Sequence, residues 1–439
     1  MNRKTPIDRY ALHERLSGCF TGEPKATTLR GGRTEALRLL DAYDPAGYGR
    51  GRNFLAGPVS KLSPYIRHGM VSLVEVRDRL SQRFADDPSR LEEFFRQLAW
   101  RDYFAKVQAW HGRGLEEAIE QPKHNVARDS RIPLDMIVGE TGLPCVDGML
   151  ANLYQDGYLH NHARLWFAAY WCHFRGLDWL QGARLFRRFL LDGDTASNFA
   201  SWQWVESTFA AKPYFMNKEN IKNFSGGQWC NGCQAACPFD RDYAELQNLL
   251  FGGTRAPMAN QGKQGIAPTP LSAMAGAAQS LPSIPHAPEI IWLHDAALSW
   301  NSSAYKANPN APGVFVFDEL AMRAEPPAWH RVAFILDGID DLITNIPNPG
   351  LEVLVGDPVD ILERVALAAG AETIHLDQSH EPAMIEIAER LRRRFRVVEH
   401  PAPELARYDD EPKRFSRYWD KAAAQVTGKP AKRGGKWHR

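Results

Sequence analysis

Cys230, Cys233 and Cys237 stand in QWCNGCQAACPFD with a C-x2-C-x3-C spacing followed by proline. Thiolates this close in sequence can wrap one inorganic centre, and both an iron–sulfur cluster and zinc accept such a set. A second group, Ser60, Lys61 and Ser63 in VSKLSPYIRHG, offers hydroxyl, ammonium and backbone donors ahead of a helix expected from about Pro64. Those donors suit a pyrophosphate, and they equally suit the cap of an ordinary surface helix. A third group is DGDTASNFASWQW, Asp192 to Trp204, with two acids, two amides and two indoles. If this segment is helical, Asn198 and Trp202 share a face.

The elements around these groups divide the chain. From Pro45 to about Asn248, segments such as LEEFFRQLAWRDYFAKVQAW and HARLWFAAYWCHFRGLDWLQGARLFRRFLL place bulky residues three and four apart, so this half is expected to be helical. The stretch from Gly252 to Pro288 is rich in Pro, Gly, Ala and Ser and reads as a linker. Beyond it, EIIWL, GVFVF, VAFIL, LEVLV, ETIHL and FRVVEH are short apolar runs with helical stretches between them, which suits a doubly wound α/β domain. VAFIL fits strand or helix equally by pattern. The last residues, TGKPAKRGGKWHR, carry basic side chains and no acid, and read as a disordered tail. The expected division is a helical domain over 1–250, a linker over 251–287, an α/β domain over 288–405 and a basic tail over 406–439.

Composition adds a few bounds. A net charge of +1 neither announces nor excludes a nucleic-acid partner, since a balanced total can hide a basic face. No window approaches eighteen uninterrupted apolar residues, and the amino terminus lacks a signal peptide's apolar stretch, so the expectation is a cytoplasmic, monomeric chain with no membrane segment. In a reducing compartment six cysteines are a poor disulfide framework, and their clustering favours a metal or redox role.

VSKLSPYIRHG, FRQLAWRDYF and DGDTASNFASWQW, in that order and at these separations, resemble the FAD-binding domain of the photolyase and cryptochrome superfamily. The resemblance implies that FAD is held by Tyr48, Ser60, Lys61, Leu62 and Ser63 on its phosphate and ribitol side, with Gln97, Trp100 and Arg101 on the next helix. It implies an Arg164–Asp192 pair, a hydrogen bond from the isoalloxazine edge to Asp194, and Asn198 beside flavin N5. Trp202 and Trp179 match the first two members of the family's electron-transfer chain. The third should lie near Asn125 to Asp129, where no aromatic stands. Trp204 and Asn161 match positions that line the pocket for a flipped pyrimidine dimer, while Gln97 stands where repair enzymes usually carry Glu. His160 and His162 flank Asn161 and read as ordinary helix residues, which disfavours repair of the six-four photoproduct.

Cys145, in TGLPCVDGML, matches the first cluster cysteine of the iron–sulfur bacterial cryptochromes and photolyases, so the resemblance implies a 4Fe-4S cluster on Cys145, Cys230, Cys233 and Cys237. The α/β half resembles the family's antenna domain, which ordinarily precedes the flavin domain; here the order is circularly permuted, and an antenna chromophore in that half is an open expectation. The activity implied is light-driven electron transfer to UV-damaged DNA, with repair of cyclobutane pyrimidine dimers by a deoxyribodipyrimidine photolyase. The alternative implied is a cryptochrome-like photoreceptor or redox flavoprotein without repair.

Overall fold

The computed structural model describes residues 7–23, 28–253, 285–346 and 350–429. Most of the expected linker and the last ten residues of the chain lie outside them.

The first half is helical, as its spacing requires. Glu92–His111 is the long central helix; Pro144–Asp156, Asn161–Ala169, Trp179–Phe189 and Ala200–Glu206 pack around it or beside one another. Two of these helices are interrupted by π turns, Tyr170–Phe174 after Asn161–Ala169 and Thr195–Phe199 before Ala200–Glu206. A π turn widens the backbone ring and redirects the side chains beyond it, which is why such turns recur at functional sites.

The second half is a parallel sheet of five strands, β1 (Glu289–Leu293), β2 (Gly313–Asp318), β3 (Leu351–Gly356), β4 (Thr373–Asp377) and β5 (Arg396–His400), in the order β3-β2-β1-β4-β5. Side chains alternate across it. Ile290 and Trp292 face helix Pro358–Ala369, whereas Ile291, Leu293, Phe315 and Phe317 face the core shared with the helical half. The two halves therefore bury apolar surface against each other.

VAFIL, one of the two equally weighted readings resolved here, is helix: it lies inside Trp329–Asn345. Its residues from His330 to Leu336 are all buried. The helix is enclosed by the sheet and by the helical half, with Phe334 on Tyr65 and His68 and Arg331 donating to Arg187 O and Leu190 O. His330 to Leu336 carry no polar stripe, so this stretch alone shows no period, whereas Asp337, Asp340, Asp341 and Thr344 mark the open face of the later turns. Its carboxylates also anchor the start of the chain, since Arg9 pairs with Asp337 and Asp340.

The expectation of a basic tail over 406–439 is corrected for its first part. Phe415–Thr427 is a helix that packs on Glu92–His111, with Phe415 stacked on Trp100 at 3.8 Å and 7°. Tyr418 Oη donates to Asp102 Oδ2 (2.7 Å) and Leu405 N to Asp102 Oδ1 (3.2 Å). Burial pushes the Asp102 carboxyl up, against the pull of Lys106 and these two donors. Tyr418→Phe should therefore cost about 1–3 kcal/mol by leaving a buried carboxylate oxygen unpaired. Urea unfolding reads this directly, and an unchanged midpoint would contradict it.

Candidate cofactor site

The segment before helix Ser63–Arg67 is shaped by backbone rather than by a cap. Lys61 is exposed and adopts φ +54°, Ser60 Oγ accepts from Leu62 N at 3.3 Å, and no side chain caps the helix. The Ser63 hydroxyl goes instead to Asp192. Lys61 Nζ lies 5.7 Å from the Tyr158 ring centroid, and Tyr48 packs edge-on against Phe94 at 5.2 Å. Leu62 is buried.

Two ion pairs join the segments that sequence reasoning had linked. Arg164 Nη2 lies 2.9 Å from Asp192 Oδ1, and Arg101 Nη2 donates to Asp194 Oδ2 at 2.9 Å. Burial alone would raise the Asp192 carboxyl, but Arg164, Ser63 and Arg101 outweigh it and hold it below the ordinary carboxylate range. Asp194 also accepts from Ser197 Oγ (2.9 Å) and Asn198 N (3.0 Å). It thus braces its own π turn as much as it faces outward. Asn198 Nδ2 donates to Ala183 O at 2.8 Å, which fixes the amide and leaves its carbonyl oxygen and a second N–H to present.

Whether this set suits a bound ligand can be asked of its unpaired atoms. Arg67 Nη1, His160 Nε2 and Trp202 Nε1 are buried without a hydrogen bond among the described residues. A buried polar atom left so is costly, and a ligand that reaches it removes the cost. His160 is the clearest case. Its Nδ1 accepts from His162 N at 3.2 Å, and burial pushes its pKa down to about 4. A neutral ring that accepts on Nδ1 carries its proton on Nε2, so Nε2 is a donor awaiting an acceptor.

The tryptophans are placed unequally. Trp202 is buried against Phe186, Trp171 and Phe167, with centroids 5.0, 6.0 and 6.3 Å away. A Cβ on Gly182 would meet its ring at 2.3 Å, so glycine is required there. Trp179 has Phe199 as its ring neighbour at 6.3 Å. Trp171 had no motif to announce it.

At the position expected for a third indole, His124 and Arg128 instead meet His173 and Glu206 in a buried charged cluster. The ligand atoms of His124, His173 and Glu206 lie within 4.8 Å of one another, as metal ligands would. Arg128 supplies the cation there: Nε and Nη2 reach Glu206 at 2.8 and 2.9 Å, and Nη2 lies 3.1 Å from His124 Nε2. These residues are spread over more than eighty positions, so no spacing in the sequence flagged them.

The pocket-side residues are less concentrated. Gln97 Nε2 donates to Glu93 Oε1 at 2.9 Å, which places a carboxylate one helical turn before the position where Glu was missing. Trp100 lies under Phe415, Trp204 packs 5.6 Å from Tyr214, and Asn161 is exposed at the start of its helix.

The four cysteines share one neighbourhood. Cys145 is buried at the start of helix Pro144–Asp156, and the loop with Cys230, Cys233 and Cys237 docks on that helix at Gly148, where a Cβ would meet Trp229 Nε1 at 2.6 Å. Burial, then Cys230 and Cys237, push the Cys145 thiol up to about 12, and Cys230 is raised by burial and then by Cys237 and Cys233. Thiols gathered closely enough for Cys145 and Cys230 to be raised by their neighbours are a site for a cation that stabilises thiolates. Cys172 and Cys19 are buried elsewhere.

Burial lowers four histidines from 6.5, His68 to about 3 and His160, His162 and His173 to about 4. Because the unfolded chain binds these protons near pH 6.5 and the native one does not, stability should be full above pH 6.5 and fall as pH drops toward 4. Each such histidine contributes a slope of up to about 1.4 kcal/mol per pH unit. Urea midpoints at pH 7.5 and 5.5 test this, and equal midpoints would contradict it.

This arrangement has counterparts. Residues 94–243 match the FAD binding domain of DNA photolyase. The deoxyribodipyrimidine photo-lyases of Halobacterium salinarum and Streptomyces griseus are each 34% identical, over 193 and 179 residues, covering 41% and 40% of this chain and 40% and 38% of those proteins. Cryptochrome DASH of Oryza sativa subsp. japonica is 29% identical over 203 residues, covering 43% of this chain and 34% of that protein. The chain thus spans about two fifths of the length of the curated relatives it matches. A bacterial class III photolyase from Agrobacterium tumefaciens aligns with a TM-score of 0.39 at 27% identity, over 44% of this chain and 43% of that one. Residues 94–243 are thus similar to the FAD binding domain of DNA photolyase. Among the described residues no helix is long and apolar enough to cross a membrane.

Proposed function

We propose that this chain is an FAD-dependent, photolyase-like flavoprotein that repairs cyclobutane pyrimidine dimers in UV-damaged DNA by light-driven electron transfer. The observation that carries this is the convergence of the Arg164–Asp192 and Arg101–Asp194 pairs, with unpaired buried atoms on Arg67, His160 and Trp202, largely inside the segment that matches the FAD binding domain. Bound FAD would supply the light-absorbing electron donor. Tyr48, Ser60, Lys61, Leu62 and Ser63 hold its phosphate and ribitol side. The two ion pairs fix the loops around the ring, and Asn198 presents its amide. Trp202 and Trp179 carry electrons toward the ring. Gln97, Trp100, Asn161 and Trp204 line the place for a base pair's worth of flipped lesion, which stacks on indole rather than water.

Cys145, Cys230, Cys233 and Cys237 would hold a 4Fe-4S cluster, a reading supported by the docking of the Cys230–Cys237 loop on the helix that carries Cys145. The α/β half corresponds to an antenna-type domain placed second, the order of a circular permutation across the 251–287 linker.

A second reading, a photoreceptor or redox flavoprotein without repair, is favoured by two observations. Gln97 is tied to Glu93, and a charged cluster stands where a third indole is expected. Blue-light treatment of a cyclobutane-dimer oligonucleotide with anaerobically reduced protein, against a dark control, separates the two. Light-dependent restoration supports repair; bound FAD with no restoration moves the assignment to the second reading.

A further inference from the structure

In an open parallel sheet, ligands ordinarily bind at the carboxyl ends of the strands where the order reverses, which here is between β1 and β4. In this chain that edge is closed on itself and turned to another use. His294, following β1, places Nε2 2.8 Å from Asp377 O at the end of β4, and Asp377 Oδ1 accepts from Ser303 N and Ala304 N at 2.8 and 3.2 Å.

The residues immediately beyond both strands reach into the helical half. After β1, Asp295 Oδ2 pairs with Arg67 Nη2 at 2.9 Å, and Asp295 O lies 2.6 Å from His68 Nδ1. Leu298 N donates to His68 O at 2.9 Å. The approach is so close that a Cβ on Gly69, which has φ +63°, would lie 2.2 Å from Ala296 O. After β4, Glu381 accepts from Thr195 Oγ1 at 2.8 Å and from Thr195 N at 3.4 Å. Thr195 opens the π turn that ends at Phe199 and contains Asn198.

We infer that the carboxyl edge of the α/β sheet is a clasp on the flavin site, with Glu381 a positioning residue that holds the Thr195 turn, and through it Asn198, in place. The inference rests on the reading that this turn faces FAD. Asp295 does the same for the Arg67–His68 corner, and Arg67 is reached by the charges of Asp295, Glu381 and Asp194 together. The crevice that would otherwise take a ligand is spent on joining the two halves. Flavin affinity then depends on side chains from the half of the chain that does not bind it.

The test is FAD titration into the full-length apo-protein, read by flavin fluorescence, for wild type, Glu381→Gln, Thr195→Val and the double variant. Thermal unfolding of each apo-protein runs alongside. Each single variant should weaken binding on the order of tenfold, the worth of one charge-assisted hydrogen bond. The double variant should be no weaker than either single one, because both remove the same contact. Apo-protein midpoints should stay together. Singles that bind like wild type, or losses that multiply in the double variant, overturn the clasp, and if Glu381→Gln fails to fold, Thr195→Val still decides it. A wild-type chain that takes up no FAD overturns the flavin reading itself, and this inference with it.

Discussion

Arg164→Ala is expected to destabilise the protein by about 3–5 kcal/mol, the cost of stranding one member of a buried ion pair. Asp192 is 5% exposed, and among the described residues the cation within ion-pair distance of it is Arg164, at 2.9 Å. Without that guanidinium, the burial that already pushes the carboxyl up dominates. Asp192 then must either remain charged in a poorly solvating site or take up a proton. The penalty should therefore be largest near neutral pH and shrink as pH falls. Arg164→Ala/Asp192→Asn, which has no charge left to strand, should recover much of the loss. Denaturant unfolding of the single and double variants at two pH values measures this; a loss below about 1 kcal/mol would place the pair among weak surface contacts. Flavin retention should fall in Arg164→Ala for the same reason, because the loop that carries Asp192 also carries Asp194 and Asn198.

Cys145→Ser should remove the inorganic centre. Protein purified without oxygen is expected to hold about four irons and four acid-labile sulfides per chain, and the variant close to none. Cys145 is the buried member of the set and sits on a different element from the other three, so its thiolate ties helix Pro144–Asp156 to the Cys230–Cys237 loop. The variant should consequently also lose stability, as chains do when a structural centre is withdrawn. Cys172→Ser is the control, since that thiol is buried away from the set and should leave iron content unchanged. Zinc in stoichiometric amount with no sulfide would contradict the cluster.

The features legible in the sequence were those carried by local period or by compact motif. The helices of the first half show bulky residues three and four apart, and the strands show short apolar runs. Arg164 and Asp192 were paired from the resemblance and do meet. The features missed depend on contacts between distant segments. VAFIL hid its period because it falls in the part of helix Trp329–Asn345, His330 to Leu336, that is buried throughout. His124, Arg128, His173 and Glu206 form one cluster only after folding. Glu381 and Asp295 could not be foreseen, because their value lies in Thr195 and Arg67 across the join. The helix Phe415–Thr427 is a different kind of miss. Phe415, Tyr418, Ala422 and Val426 recur at helical spacing and are buried, and the basic residues just beyond drew attention from that pattern.

The most direct test of the central claim is an FAD titration of the full-length apo-protein followed by its visible spectrum. The expected result is saturable uptake of one FAD per chain, weakened in Arg164→Ala and in Asp192→Asn. A wild-type chain that stays colourless at saturating FAD would contradict the account.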